Sequence, residues 1–178
     1  MLLLLATVFV LGFQAVMSPS SQANDFNGPY ADNSHHTYFL SAGLYASEKT
    51  GIRNAMIYSL GSDTDMTVAE VAQGPKVDAW FFDAIKTTGD EANYYAWTVC
   101  LTPMSGNKCD HFAIAFNHVN PHSNYRSLAC HEIGHSVGLG HAKGKNSTRP
   151  SNKRSCLRTD PDHVWFSDHD RSHINGRY

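Results

Sequence analysis

Three histidines in one short stretch have the spacing of metal ligands. His131 and His135 lie four residues apart, so on a helix their side chains project from the same face and can reach one metal ion. Gly138 follows three residues after His135, and because glycine tolerates positive φ, the helix can end there and the chain can turn sharply. That turn would bring His141 round as a third ligand. Three protein ligands leave a fourth position open, as in a catalytic metal site.

The residue after the first histidine is an acid that can act on solvent. Glu132 is placed so that its carboxylate can reach a water molecule on the metal, where it is suited to act as a general base. We therefore expect Glu132 to be catalytic, and His131, His135 and His141 to be the metal ligands. An amphipathic helix that contains two histidines by chance would account for His131 and His135, but not for the added Gly138 and His141.

The run from residue 131 to residue 141 resembles the zinc signature of the metzincins, His-Glu-x-x-His-x-x-Gly-x-x-His. With its small size, apolar start and flanking cysteines, the chain is similar to the small secreted bacterial, matrixin-like peptidases of that clan. The resemblance implies an α+β catalytic domain over residues 24–178, with a twisted mixed sheet, a zinc helix at about 125–138 and a lower subdomain at 139–178. It also implies a zinc-dependent endopeptidase with one catalytic Zn²⁺. Because snapalysin-type enzymes replace the third histidine by aspartate, His141 argues against that branch.

One departure from the family concerns the turn beneath the metal. Metzincins place a methionine there, and no methionine follows Met104 in this chain. By position, the resemblance makes Leu157 the substitute, in a turn formed by residues 155–158. Exchange of Leu and Met costs under about 1.5 kcal/mol, so activity is still expected. The alternative is a catalytically deficient, zinc-containing module that binds peptides or proteins. A structural zinc or redox protein is a third interpretation, but it leaves Glu132 without a purpose.

The composition is that of one globular domain. The 178 residues, 42% hydrophobic and 17% charged, are enough for one core. A net charge of -2 argues against a large nucleic-acid interface. We interpret one local basic stretch as a solvated loop; it contains Lys143, Lys145, Arg149, Lys153 and Arg154. The expected partner is a protein or peptide substrate, and the protein itself is expected to be a monomer.

The start of the chain has the pattern of an export signal. Residues 2–17 are almost wholly apolar, and Ser21 and Ala23 fit the small-x-small rule for cleavage, so we predict a signal peptide at 1–23 and a mature start at Asn24. The apolar run is shorter than a comfortable membrane span, and cleavage would leave no stable span. Since no Lys or Arg precedes the run, a signal anchor is the alternative. The expected location is extracellular.

The four cysteines are predicted to form two disulfides. An exported protein meets an oxidising environment, and four cysteines allow three pairings. We favour Cys100–Cys109, which closes a short hairpin-like loop, and Cys130–Cys156, which ties the start of the histidine run to the segment beyond it. The second closure would stabilise the fold by about 3 kcal/mol. Zinc binding by the thiols is weaker as an explanation, because the chain has no Cys-x-x-Cys pair.

The element that carries the site is predicted to be a helix at residues 125–137. Ser123 or Asn124 can cap its start, while Leu128 and Ile133, together with Val137, would face the core. Before this helix we predict a first strand around residues 35–40, a helix at 44–60, and strands at 77–82, 94–101 and 111–117. After it we predict a loop at 142–155 and a last helix. A Ser-x-x-Asp capping pattern begins that last helix at Ser167, and the helix ends near 174–176.

Two further groups of polar residues could bind metal. His35 and His36 are adjacent, and we interpret them as surface histidines. Asp63 and Asp65 could coordinate Ca²⁺, but two carboxylates make no cage, so a capped turn is the better interpretation and calcium has no other support.

Overall fold

A computed structural model describes residues 28–141, 154–158 and 162–178 of the chain. The predicted signal peptide and most of the predicted basic loop lie outside the described residues. Within these ranges the chain has a mixed α+β fold, built from one five-stranded sheet, one two-stranded sheet and three α-helices. The coarse fold class that we predicted is therefore confirmed. None of the helices in these ranges is long and apolar enough to cross a membrane.

The strands and helices follow one another in a mostly alternating order. The strands are β1 (Tyr30–Ala31), β2 (His35–Leu40), β3 (Thr67–Glu70), β4 (Ala79–Ala84), β5 (Ala96–Cys100), β6 (Lys108–Cys109) and β7 (Phe112–Asn117). The α-helices are α1 (Ala46–Asn54), which continues as a π-helical segment (Ala55–Gly61), α2 (Tyr125–Ser136) and α3 (Asp168–Arg177). Short 3₁₀ turns occupy Asp90–Asn93 and Ser105–Asn107.

The main sheet has the strand order β3-β2-β4-β7-β5. The first four of these strands are parallel to their neighbours, whereas β5 runs antiparallel to β7 and forms one edge of the sheet. Strands β1 and β6 pair separately as a small parallel sheet. All six residues of β7 are buried, as expected for a strand with a neighbour on each side. Among the described strands, β3 and β5 therefore each have a neighbour on one side only and form the two edges of the sheet.

The four strands and one helix predicted before α2 are present; the first strand has the predicted bounds, and the boundaries of the others are shifted. The strand predicted at 77–82 begins two residues later, as β4, because the Asp78 carboxylate accepts hydrogen bonds from the Thr37 amide (2.5 Å) and hydroxyl (2.7 Å). The helix predicted at 44–60 is present, but its second half is π-helical. Buried residues recur there every four to five positions, at Ala55, Met56, Ser59 and Leu60, which suits the wider turn.

Helix α1 packs directly on α2 at Gly51. A Cβ atom at this position would lie 2.8 Å from the backbone nitrogen of Arg126, so only glycine allows this approach. The buried residues of both helices join the sheet in one hydrophobic core, which includes Ile52, Leu60, Phe81, Ile114 and Ile133. The core thus fixes α2 against the sheet, while His131, Glu132 and His135 of the same helix line a cleft.

Candidate metal centre

Helix α2 begins and faces the core as the sequence predicts. The Asn124 side chain accepts a hydrogen bond from the amide of Ser127 (3.1 Å), which caps the helix and identifies the capping residue between the two candidates. Leu128 and Ile133 are buried, as is Val137 just beyond the last turn. Burial of this apolar face orients the histidines of the same helix towards a cleft that α2 and β5 line.

The chain turns at Gly138, directly after α2. This glycine has φ 89°, in the left-handed region that L side chains rarely adopt. Its amide donates to the carbonyl of His135 (3.0 Å), and the amide of Leu139 donates to the carbonyl of Gly134 (2.9 Å), so the last carbonyls of the helix are satisfied. The turn sends the following residues back past the helix end, and His141 returns to the side of the first two histidines.

The three histidine rings converge through their Nε2 atoms. These atoms are 3.1 Å apart between His131 and His135, 3.2 Å between His135 and His141, and 3.1 Å between His141 and His131. Among the described residues, this is the only group of three or more His, Cys, Asp or Glu side chains that could hold a metal ion. The structure therefore brings together all three histidines that the sequence singled out.

Two of the rings have their tautomer set by a backbone carbonyl. Nδ1 of His131 donates to the carbonyl of Cys156 (2.8 Å), and Nδ1 of His135 donates to the carbonyl of Leu139 (2.8 Å). A carbonyl can only accept, so the proton of a neutral ring sits on Nδ1 and a lone pair remains on Nε2. Two lone pairs that face each other at 3.1 Å repel unless a cation lies near both. The arrangement therefore fits a metal ion held by three imidazoles.

The surroundings keep the histidines neutral, which is the form that binds metal. Burial lowers the pKa of His131 to about 3, with a further lowering from His135. Burial also lowers the pKa of His135, and it lowers the pKa of His141, which the neighbouring His135 lowers further. The lowered pKa values reduce the competition of protons with a cation for the three nitrogens.

Glu132 is buried beside the histidines, with only 3% of its surface exposed. Burial raises the pKa of its carboxyl to about 7, while a hydrogen bond from Thr98 acts in the opposite direction. The Thr98 hydroxyl lies 2.7 Å from Oε2 of Glu132. A carboxylate whose pKa lies near neutrality can both take up and release a proton, as a general base and acid must.

The segment that the resemblance assigned to the family's turn packs against α2. Leu157 is fully buried, and a Cβ atom at Gly134, between the first two ligands, would overlap its side chain. The amide of Leu157 donates to the Ser155 hydroxyl (3.0 Å), which in turn donates to the buried carboxylate of Asp170 in α3 (2.6 Å). Leu157 therefore packs directly against α2, in a segment that a hydrogen bond from Ser155 ties to α3.

Both predicted disulfides are present. Cys130 is bonded to Cys156, which holds the carbonyl that accepts the hydrogen bond from Nδ1 of His131 next to the helix. Cys100 is bonded to Cys109 and closes the loop after β5. Among the described residues no cysteine is free, so the thiols are not metal ligands there.

A cleft of about 440 Å³ opens over the histidines. Helix α2 forms one wall, and β5 with the residues before it forms the other, including Tyr94, Tyr95, Trp97 and Thr98. Thr98 was not singled out by the sequence analysis. Its role depends on the register of β5 against β7, in which Thr98 pairs with Ile114, and no local pattern gives that register.

The interpretation of both early histidines as surface residues is wrong for His36. This ring is fully buried, and its Nε2 lies 3.0 Å from the hydroxyl of Ser136 in α2. It packs edge-on against Phe112, because the alternating pattern of β2 turns position 36 inwards and leaves His35 exposed. At the predicted turn, Asp63 is paired with Arg171 of α3 (3.4 Å). The Asp63 carboxylate thus has a cationic partner in the protein, and this ion pair gives no support to a calcium site.

Comparison with known proteins adds no assignment. A scan against protein-family models finds no match, and a search of curated proteins finds none either.

Proposed function

We propose that the protein is a secreted, zinc-dependent endopeptidase of the metzincin clan. His131, His135 and His141 hold one zinc ion, and Glu132 is the general base. The observation that carries the proposal is the convergence of three Nε2 atoms within 3.2 Å of one another, beside a buried carboxyl. A structural site would use a fourth protein ligand and would give Glu132 no task.

Zinc suits the donor set and its dimensions. Nitrogens that bind one tetrahedral zinc ion at about 2.0–2.1 Å lie about 3.3–3.4 Å apart, close to the observed separations of 3.1 and 3.2 Å. Imidazole is a preferred zinc ligand, whereas Mg²⁺ and Ca²⁺ select oxygen. When bound, zinc supplies Lewis acidity, which lowers the pKa of a coordinated water to about 7 and polarises the scissile carbonyl.

The protein's own groups carry out the proton transfers. Glu132 accepts a proton from the attacking water at its carboxylate and later delivers it to the nitrogen of the leaving amine. Burial of this side chain excludes bulk solvent and raises the pKa of its carboxyl, which makes the carboxylate a stronger base. The backbone carbonyls of Cys156 and Leu139 keep the His131 and His135 rings in the orientation that ligation needs.

The edge strand offers a way to hold a peptide. Strand β5 lines the cleft and has a hydrogen-bonded neighbour on one side only, so an extended substrate can pair with its free edge. Exposed aromatic side chains at the start of this wall, Tyr94 and Tyr95, offer apolar contacts to substrate side chains. Together these features favour a protein or peptide as the substrate.

The disulfides support the proposed location. Cys100–Cys109 and Cys130–Cys156 are compatible with an extracellular protein, since such bonds form and persist in oxidising compartments. A monomer suffices, because all three proposed ligands and the base come from one chain.

The test measures cleavage of casein and of a peptide library, with and without a chelator, by wild-type protein and by Glu132→Gln. We expect the chelator to abolish cleavage and Glu132→Gln to reduce it by about 10²- to 10⁴-fold at unchanged zinc content. Glu70→Gln is the matched control, because Glu70 pairs with Arg53 outside the cleft lining, and it should cleave at the wild-type rate. Cleavage that neither the chelator nor Glu132→Gln reduces would refute the proposal. Full zinc content without any cleavage would instead support the binding-module alternative.

A further inference from the structure

Within the described part of the chain, the carboxylate of the general base that we propose has one hydrogen-bond partner. Within the described residues, the Thr98 hydroxyl is the donor that reaches this group, at 2.7 Å from Oε2. The same hydroxyl lies 3.1 Å from the main-chain carbonyl oxygen of Glu132. One side chain therefore contacts both ends of the Glu132 residue.

This contact restricts a side chain that is otherwise free to rotate. Glu132 has three side-chain torsions, and a hydroxyl that lies between its carboxylate and its own backbone favours one combination of them. Thr98 can do this because its own position is fixed. It is half-buried in β5 and pairs with Ile114 of β7, and its β-branched side chain has few rotamers.

We propose that Thr98 is a positioning residue, which holds the Glu132 carboxylate in the orientation that proton transfer requires. This inference rests on the proposed function. Thr98 lies on the strand whose free edge we assign to the substrate, so the same strand sets both the place of the peptide and the place of the base. A misplacement of about 1 Å between reacting groups can cost about 10²-fold in rate, which is why such support matters.

The experiment compares two substitutions at this position. Thr98→Val keeps the shape and removes the hydroxyl, whereas Thr98→Ser keeps the hydroxyl and removes a methyl group. Thr50→Val is the matched control, because the Thr50 hydroxyl bonds only within its own exposed helix turn, to Ala46. Steady-state cleavage of one peptide is measured for all variants and for Glu132→Gln, together with zinc content and a crystal structure of the zinc-loaded Thr98→Val protein.

We expect Thr98→Val to lower kcat by about 10- to 100-fold with KM within about twofold of wild type, at full zinc content. Thr98→Ser should recover most of the rate, and Thr50→Val all of it. In the crystal structure of Thr98→Val, the Glu132 carboxylate should be displaced or should adopt more than one conformer.

Two results would overturn the inference while leaving the proposed function intact. One is a wild-type kcat for Thr98→Val when Glu132→Gln is inactive. The other is an equal loss for Thr98→Ser and Thr98→Val, which would indicate packing alone. If the wild-type protein cleaves nothing, the proposed function fails, and the crystal structure still decides the positioning. A single, unmoved Glu132 conformer in Thr98→Val would refute it.

Discussion

The imidazoles of the histidine cluster are set for metal binding by their immediate surroundings. Backbone carbonyls fix the Nδ1 proton of His131 and His135, and burial lowers the pKa of all three rings. A metal ion therefore meets less competition from protons and has to reorient neither of these two rings. This preparation reduces the cost of assembling the site.

The buried ring of His36 should make the protein sensitive to acid. Burial lowers its pKa to about 4 from 6.5, although Asp78 and Asp32 act in the opposite direction and His35 lowers it further. As the pH falls from 6.5 to 4, the unfolded chain takes up a proton that the folded protein excludes, so stability is lost across this window. The loss approaches about 3 kcal/mol at its lower end.

Urea unfolding of the chelator-treated protein at several pH values between 7.5 and 4 tests this prediction. His36→Phe keeps a ring of similar shape without a titrating group, so its unfolding free energy should fall by about 3 kcal/mol less than that of wild type across the window. His35→Gln, on the exposed side of the same strand, should retain most of the wild-type dependence. Parallel curves for His36→Phe and wild type would contradict the assignment.

The burial of His36 could not be predicted from the residue and its neighbours in the sequence. Two adjacent histidines near the start of a strand carry no local sign of which one faces inwards. The pairing of β2 with both β3 and β4 decides it, and that pairing joins residues far apart in the chain. Thr98 was missed for the same reason. The cluster of three histidines and Glu132, in contrast, follows from spacing along one helix and one turn.

Among the helices and strands, α2 and the turn after it do most to build the site. The helix carries His131, His135 and Glu132, and Gly138 directs the chain so that His141 returns to them. The α2 boundaries were predictable from Asn124 and Gly138, because capping is a local property. Strands β1, β3 and β6 were not predicted, since they have only two to four residues each and exist through pairing with distant segments.

The positive φ of Gly138 gives a direct test of this turn. In Gly138→Ala a side chain must adopt the left-handed conformation, which costs about 1–2 kcal/mol, and relief of that strain would move His141 away from the other two ligands. We expect lower stability in urea unfolding and about tenfold weaker zinc binding in competition with a chelating dye.

Gly176→Ala serves as the control for this substitution. Gly176 lies in α3 with open space around its Cβ position, so alanine should leave zinc affinity unchanged and should not lower stability. If Gly138→Ala bound zinc as tightly as Gly176→Ala does, the role of the turn in placing the third ligand would be wrong.

At the scale of the whole molecule, several long-range contacts build the cleft. The Cys130–Cys156 bond ties the segment at residues 154–158 to α2, and the Ser155–Asp170 hydrogen bond ties it to α3. Strand β5, at the edge of the sheet, forms the other wall of the cleft. Both disulfide pairings were predictable, because each closes a loop that the element order already suggests. The way in which Leu157 packs against Gly134 was not, since it requires the lower segment to be placed in three dimensions.

The zinc content of the purified protein tests the central claim most directly. Elemental analysis after dialysis against trace zinc should give about one zinc ion per chain for wild type and for Glu132→Gln, and far less for the double substitution His131→Ala and His135→Ala. His141→Ala should bind zinc more weakly than wild type. The absence of a bound transition metal from wild type, or equal zinc content in the double substitution, would contradict the account.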